Sequence, residues 1–325
     1  MITITKAEEN NTAGAAAMRQ QGAPSAEPEN RQYLIAGQSL VFESPVPALA
    51  AFAETDIVRG SATIEMPADT PRPMDPESAE LHYQGMAQFE NRQQQVRCWR
   101  RNNILQIDVA DRPICQVDLE NDRIHQFNNR SFDDRLNLEV ITGPALIMLL
   151  AKKGVYCLHA GAVSTPFGNI ALIAESGVGK STLSAPVNEQ WQQLSDDILP
   201  FSRHDNGCHD TSIFIANFPQ LKLPGNAVAI APPPEATVDL ILRLSAQSSE
   251  ATEFRRLGKS EALLELVRHT VAAKLFVPSQ MGSLTGFAEI LSRATPVVEL
   301  TYPRDLRRLP QVQKAILNYL QAGLF

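Results

Sequence analysis

Glu175-Ser176-Gly177-Val178-Gly179-Lys180-Ser181-Thr182 follows directly on a short apolar run at 170–174. That run is long enough for a buried strand and too short for a helix. The order is that of a phosphate-binding loop, with Ala174 standing where the pattern's first glycine falls. The chemistry explains the residue types. Gly177 and Gly179 carry no Cβ, so the backbone can fold tightly and turn successive N–H groups toward phosphate oxygens. The helix expected to start near Gly179 adds its positive end to the same point. Lys180 is placed to reach β- and γ-phosphates, and the Ser181 hydroxyl to ligate Mg²⁺. A plain glycine turn between strand and helix would leave the Gly-Lys-Ser order without a reason.

Sixteen residues beyond Lys180, Leu194-Ser195-Asp196-Asp197-Ile198-Leu199 sets two adjacent carboxylates in an apolar segment. Burying them is costly without compensation, and a bound cation is the natural partner. Read as a strand, the segment sends Asp196 and Asp197 to opposite faces, so they should have different tasks; the alternative is a solvated Asp-Asp turn after a helix. One can complete a Mg²⁺ shell while the other faces an acceptor hydroxyl as general base.

With His159 in Leu-His-Ala-Gly-Ala-Val, the phosphate loop and Leu-Ser-Asp-Asp-Ile, residues 159–200 resemble the C-terminal kinase domain of HPr kinase/phosphorylase and its relatives. ATP-dependent phosphoenolpyruvate carboxykinase looks like a more distant cousin. Looser similarity runs from Gly143 through 218–224 to 297–302. The resemblance implies an α/β fold, a P-loop kinase domain of the HPr kinase/PEP carboxykinase type. It implies ATP and Mg as cofactors and a serine hydroxyl as acceptor, in a protein, a peptide or a small metabolite. It assigns the base to Asp196, leaves Asp197 with Ser181 for the metal, and gives His159 a role touching phosphate or orienting an aspartate. The Glu-Arg-Gly-Leu-Gly-type segment of the parent family has no counterpart here, which leaves the acceptor open. A nucleotide-binding regulatory or scaffold protein and a plain NTP hydrolase are the alternatives. A carboxykinase is not expected, because no second set of metal ligands and no arginine placed for a dicarboxylate is found.

The remaining features bound these readings. The chain has 325 residues, 44% hydrophobic, enough for two domains with a core. A net charge of −7 argues against nucleic acid or an anionic membrane as partner. Four scattered cysteines and the lack of a long apolar stretch suit a soluble cytoplasmic protein. Self-association is left open.

Three regions are expected. Residues 1–30 are polar and read as a flexible tail, with a marginal helix at 15–21. Residues 31–135 read as a small β-rich N-terminal domain, with strands at 33–42 (a turn at Gly37), 62–66, 80–83, 87–90, 94–100, 104–110, 114–119 and 123–127. Asn102-Asn103 and 120–122 are expected hairpin turns. Trp99 with Arg97, Arg100 and Arg101 could dock an acceptor or simply form the exposed face of a hairpin.

The kinase-like domain spans 136–325. It opens with a helix at 136–153, in which Gly143-Pro144 can start a turn and Gly154 ends the run. A strand at 155–160 carries His159, which in an apolar strand could equally be a hydrogen-bonded core residue. Pro186 requires the loop helix to be short or kinked. A hairpin about Asn206-Gly207 opposes a metal site at His204, Cys208, His209 and Asp210. Lys222 is a candidate phosphate contact, and 231–234 a proline-rich turn. Arg255, Arg256 and Lys259 could close over phosphates or lie solvated. A strand at 238–244, helices at 260–271, 287–292 and 309–321, and a strand at 296–302 complete an α/β sheet with covering helices.

Overall fold

The computed structural model describes residues 31–53, 63–67, 69–127, 134–185, 190–205, 211–219 and 236–325. The tail at 1–30, Pro186, the Asn206-Gly207 turn with Cys208, His209 and Asp210, Lys222 and the 231–234 turn lie outside the described residues. The described chain forms two mixed eight-stranded sheets with helices.

The first sheet contains β1 (Gln32–Ile35), β2 (Gln38–Phe42), β3 (Thr63–Met66), β4 (Glu80–Phe89), β5 (Arg92–Arg101), β6 (Ile104–Val109), β7 (Arg112–Asp118) and β8 (Arg123–Gln126). Its spatial order is β1-β2-β3-β8-β7-β6-β5-β4. Short hairpins dominate. Ala36-Gly37, Glu90-Asn91 and Ala110-Asp111 each place two successive residues at positive φ, the geometry that matches strand twist in a two-residue turn. Asp118 Oδ1 accepts from the backbone N–H of Glu120 and Asn121, which closes the turn expected at 120–122. The two runs expected at 80–83 and 87–90 are one strand, β4, with a register shift between Leu81 and Tyr83.

Between the sheets the chain runs through α1 (Arg135–Val140), a π turn (Ile141–Ala145) and α2 (Leu146–Lys152). Pro144 lacks an N–H and Gly143 takes non-helical angles, so the ladder breaks there. Leu146 through Leu150 are all fully buried. A helix apolar on every side must be covered on every side; α2 packs on β9 (Val155–Thr165) and α5 (Pro278–Ala294), and the π turn on β7.

The second sheet adds β10 (Gly168–Ile173), β11 (Gln192–Ser195), β12 (Ile198–Asp205), β13 (Thr211–Ile215), β14 (Leu240–Ser248), β15 (Glu253–Arg256) and β16 (Val297–Tyr302). Its order is β13-β12-β9-β10-β14-β16-β15, with β11 also on β9, and β10, β14 and β16 run parallel. Three further helices complete it: α3 (Lys180–Ser184), α4 (Lys259–Arg268) and α6 (Leu309–Gln321). Both faces are covered. Ala171 and Ile173 join the large apolar cluster shared with the first sheet, whereas Ile170 and Leu172 join a second cluster under α6 with Trp191, Val312 and Ile316. That alternation explains the unbroken apolar run of β10. Among the described residues no helix is long and apolar enough to cross a membrane.

Candidate functional site

β10 ends at Ile173, and the chain turns through buried Ala174 and Glu175-Ser176-Gly177-Val178-Gly179 into α3. Gly177 and Gly179 adopt φ of +80° and +103°, a region that side chains with a Cβ resist. Gly179 has a second reason to be glycine: a Cβ there would lie 2.9 Å from the Tyr302 hydroxyl. Tyr302, at the end of β16, donates to Val178 O at 3.3 Å and so buttresses the loop from the neighbouring parallel strands. Val178 and Lys180 are buried, while Ser176, Ser181 and Thr182 face solvent. Glu175 is exposed and bridged by Arg268 of α4 at 2.5 Å. α3 ends at Ser184, with Ala185 extended ahead of Pro186, as a residue before proline prefers.

The two carboxylates are not in a strand. β11 and β12 both pair with β9, Ser195 opposite Ala162 and Ile198 opposite His159, and Asp196-Asp197 form the bend between them. The Ser195 hydroxyl, 2.9 Å from Ile198 O and 3.3 Å from Ala160 O, pins that bend. The side chains still diverge. Asp197 Oδ1 meets His159 Nε2 at 2.9 Å, while Asp196 Oδ1 accepts from Gln193 Nε2 at 3.3 Å. The same Gln193 amide nitrogen lies 3.1 Å from the Ser184 hydroxyl of α3.

Lys180 arrives from the other side, its Nζ donating to His159 O at 3.3 Å. Gly161 permits this approach. A Cβ on Gly161 would stand 3.1 Å from Ser184 Cβ and 3.5 Å from Lys180 Cγ. Residue 159 of β9 is therefore where Lys180 and Asp197 meet, with Asp196 linked to α3 through Gln193 and Ser181 next in α3.

The ring of His269 packs here too, only 7% exposed. His159 N donates to His269 O at 2.8 Å, and His269 Nε2 stands 3.4 Å from Glu265 Oε2. Burial lowers its pKa from 6.5 to about 4; Glu265 opposes that shift, and the neighbouring His159, Lys180 and Arg268 add to it. The folded protein therefore binds fewer protons than the unfolded chain between these two values. Stability contributed by the neutral ring is present above pH 6.5 and is lost as pH falls toward 4. The expected loss is about 2–3 kcal/mol. Urea unfolding midpoints across this window should fall less steeply in His269→Gln than in the wild type; equal slopes would discard this source.

One recess borders the loop and another lies beside Asp197. A small one of about 190 Å³ is walled by Gly177–Gly179, Thr182, Tyr302 and residues 303–306. A larger cavity of about 680 Å³ opens beside Asp197, between β4, the Gly143-Pro144 turn and the segment after α4. Among the described residues no group of three or more His, Cys, Asp and Glu side chains could hold a metal on its own. The donors present are hard oxygens, the Ser181 hydroxyl and the two carboxylates. That set suits Mg²⁺, which keeps several waters and shares its coordination with phosphates.

Other expectations resolve differently. Arg255 lies in β15 at the far edge of the sheet and pairs with Glu261 and Glu299, so it does not close over the loop. Arg97 pairs with Asp111 and Trp99 Nε1 donates to Asp108, which commits both inside their own sheet. Gln193, Ser184, Arg268, His269 and Tyr302 were not anticipated, because strand pairing rather than local sequence brings them in. Gly161 had a signal: a glycine inside an apolar strand marks close approach.

No family model matches the chain, and no curated protein does. Among solved structures it aligns with the Hpr(Ser) kinase/phosphatase from Coxiella burnetii at 13% identity, over 51% of this chain and 98% of that one, with a TM-score of 0.29. A likeness of that size carries no functional argument, and the residues of the site must carry it.

Proposed function

We propose that this chain is an ATP- and Mg-dependent phosphotransferase of HPr kinase-like type, which moves a γ-phosphoryl group to a hydroxyl, serine first, of a protein, peptide or small metabolite. The observation that carries the reading is the meeting of Lys180 and Asp197 at His159 of β9, the lysine on its carbonyl and the carboxylate on its ring. Glycines 177 and 179, held at positive φ, leave the loop's backbone N–H groups a cradle for phosphate oxygens.

In that reading Lys180 neutralises charge on the β- and γ-phosphates, and Ser176, Val178 and Thr182 form the rest of the cradle. Ser181 and Asp196 hold the cation, which supplies charge neutralisation of the triphosphate. Asp197 takes the acceptor's proton, with His159 fixing the carboxylate's orientation. This exchanges the tasks that the family pattern gives the two aspartates. The reason is position: Asp197 borders the large cavity, and Asp196 turns toward Gln193 and α3. Residues 136–325 would be the catalytic unit, 31–135 the side from which the acceptor enters. The described cysteines are free, buried thiols, which fits a cytoplasmic setting.

Calorimetric titration with ATP, with and without Mg²⁺, tests the reading. Mg-dependent binding, accompanied by slow release of phosphate to water, is the expected result. Binding with no turnover toward any hydroxyl would leave a nucleotide-binding regulatory protein. No binding would end both.

A further inference from the structure

We propose that the cavity beside Asp197 receives an extended peptide of the acceptor, laid along the free edge of β4, with an apolar and an acidic residue flanking its serine. This rests on the phosphotransferase reading and names the acceptor class for the same site.

The shape of the wall points to a peptide. Four consecutive β4 residues, Met86 to Phe89, line the cavity. Side chains alternate across a strand, so a wall that includes consecutive residues is made by the strand's edge and not by one face. β4 is the last strand of its sheet, and among the described residues it pairs only with β5. Its outward backbone groups are thus positioned to pair with an added strand, which recognises main chain and admits alternate side chains into pockets. The volume of about 680 Å³ lies within the range that buries a ligand of several residues' bulk. A small hydroxylated metabolite would meet little polar wall there.

The lining decides which side chains fit. Tyr83, Phe89, Pro144, Leu275 and Met281 present apolar surface, and Met86 stands 59% exposed at the mouth. Among the charged lining groups, Glu139 is engaged by Arg135 and by the backbone N–H of Glu90, and Arg268 by Glu175 and Glu265. Asp197 holds His159. Lys274 makes no ion pair among the described residues, so the wall carries one unmatched cation in a chain of net charge −7. An acidic residue near the serine complements it. As the serine Oγ bonds to the γ-phosphorus, its proton passes to Asp197, the bond to the bridging oxygen breaks, and nucleoside diphosphate leaves.

The experiment uses the full chain with radiolabelled ATP and a degenerate peptide library about a fixed central serine, for wild type, Lys274→Glu and Met86→Asp. Both positions are solvent-facing, and equal melting curves establish that the variants fold. Wild type should select an apolar and an acidic neighbour. Lys274→Glu should turn the acidic preference into a basic one, by about fivefold at that position, and Met86→Asp should erase the apolar preference. Mg·ATP titration of the same samples separates the two levels. Absence of binding defeats the phosphotransferase reading itself. Binding with identical selection by all three proteins, or with transfer to small hydroxylated metabolites and none to peptides, overturns the peptide acceptor alone.

Discussion

Lys180→Ala is expected to abolish tight Mg·ATP binding and to lower phosphoryl transfer by about 10²–10³-fold, the usual effect of removing one preorganised charge-stabilising donor. The side chain is only 7% exposed and its ammonium rests on His159 O. The same charge helps lower the pKa of His269. Lys180→Met, which keeps the packed stem and removes the charge, should melt close to wild type in the absence of nucleotide. The two proteins should differ once ligand is added. Wild type gains about 2.7 kcal/mol at a hundredfold excess of Mg·ATP over Kd, and the variant gains almost nothing. Thermal melts with and without Mg·ATP measure both effects. An equal nucleotide-induced shift in the two proteins would remove Lys180 from the site. A large fall in the melting temperature without nucleotide would make its role structural.

Local pattern made the centre of this arrangement legible. The strand at 168–173, the loop glycines and the short α3 follow from adjacent residues, and the positive φ values of Gly177 and Gly179 are what the glycines anticipated. The hairpins of the first sheet were equally readable, because two-residue turns and period-two alternation are local signals. Elements held by tertiary contact were not. α5 was legible only at 287–292, since Gly282 and Gly286 lower its intrinsic propensity. Its buried stripe of Gln280, Leu284, Phe287, Ala288 and Leu291 holds it as a helix over seventeen residues. β15 read as a basic cluster because nothing in 253–256 announces that Glu299 and Glu261 will sit opposite Arg255.

The aspartate pair shows the same limit at the scale of one bend. An Asp-Asp in an apolar run reads first as strand and only second as a turn, and strand alternation gave the right divergence for the wrong reason. β9 accepts two partners on one edge, and the two residues left between them escape the ladder. What each carboxylate faces then depends on Gln193, His159 and β4, which lie 3 to more than 100 positions away in the chain. No spacing rule carries that information. The cavity is the extreme case, since its walls come from both sheets and the kinked turn that joins them.

Asparagine at each aspartate separates their tasks. Asp197→Asn keeps the shape and the approach to His159 but removes the proton acceptor, so kcat should fall about 10²–10⁴-fold, the range general-base catalysis supplies. Mg·ATP affinity should stay within a few-fold, because Asp197 lines the cavity in which the acceptor is proposed to sit. Asp196→Asn should act in the opposite sense, raising the Mg²⁺ concentration needed for half-maximal rate while leaving much of kcat at saturating metal. The contrast is informative because the two residues are neighbours, so a merely structural disturbance of the bend would harm both parameters in both variants. His159→Asn supplies a third reading: if the ring only orients Asp197, its loss should lower kcat less than Asp197→Asn and add little on top of it. Should the effects be exchanged, with kcat lost in Asp196→Asn and Mg²⁺ dependence shifted in Asp197→Asn, the acceptor must approach from the Gln193 and Ser184 side. The large cavity would then have no part in the transfer.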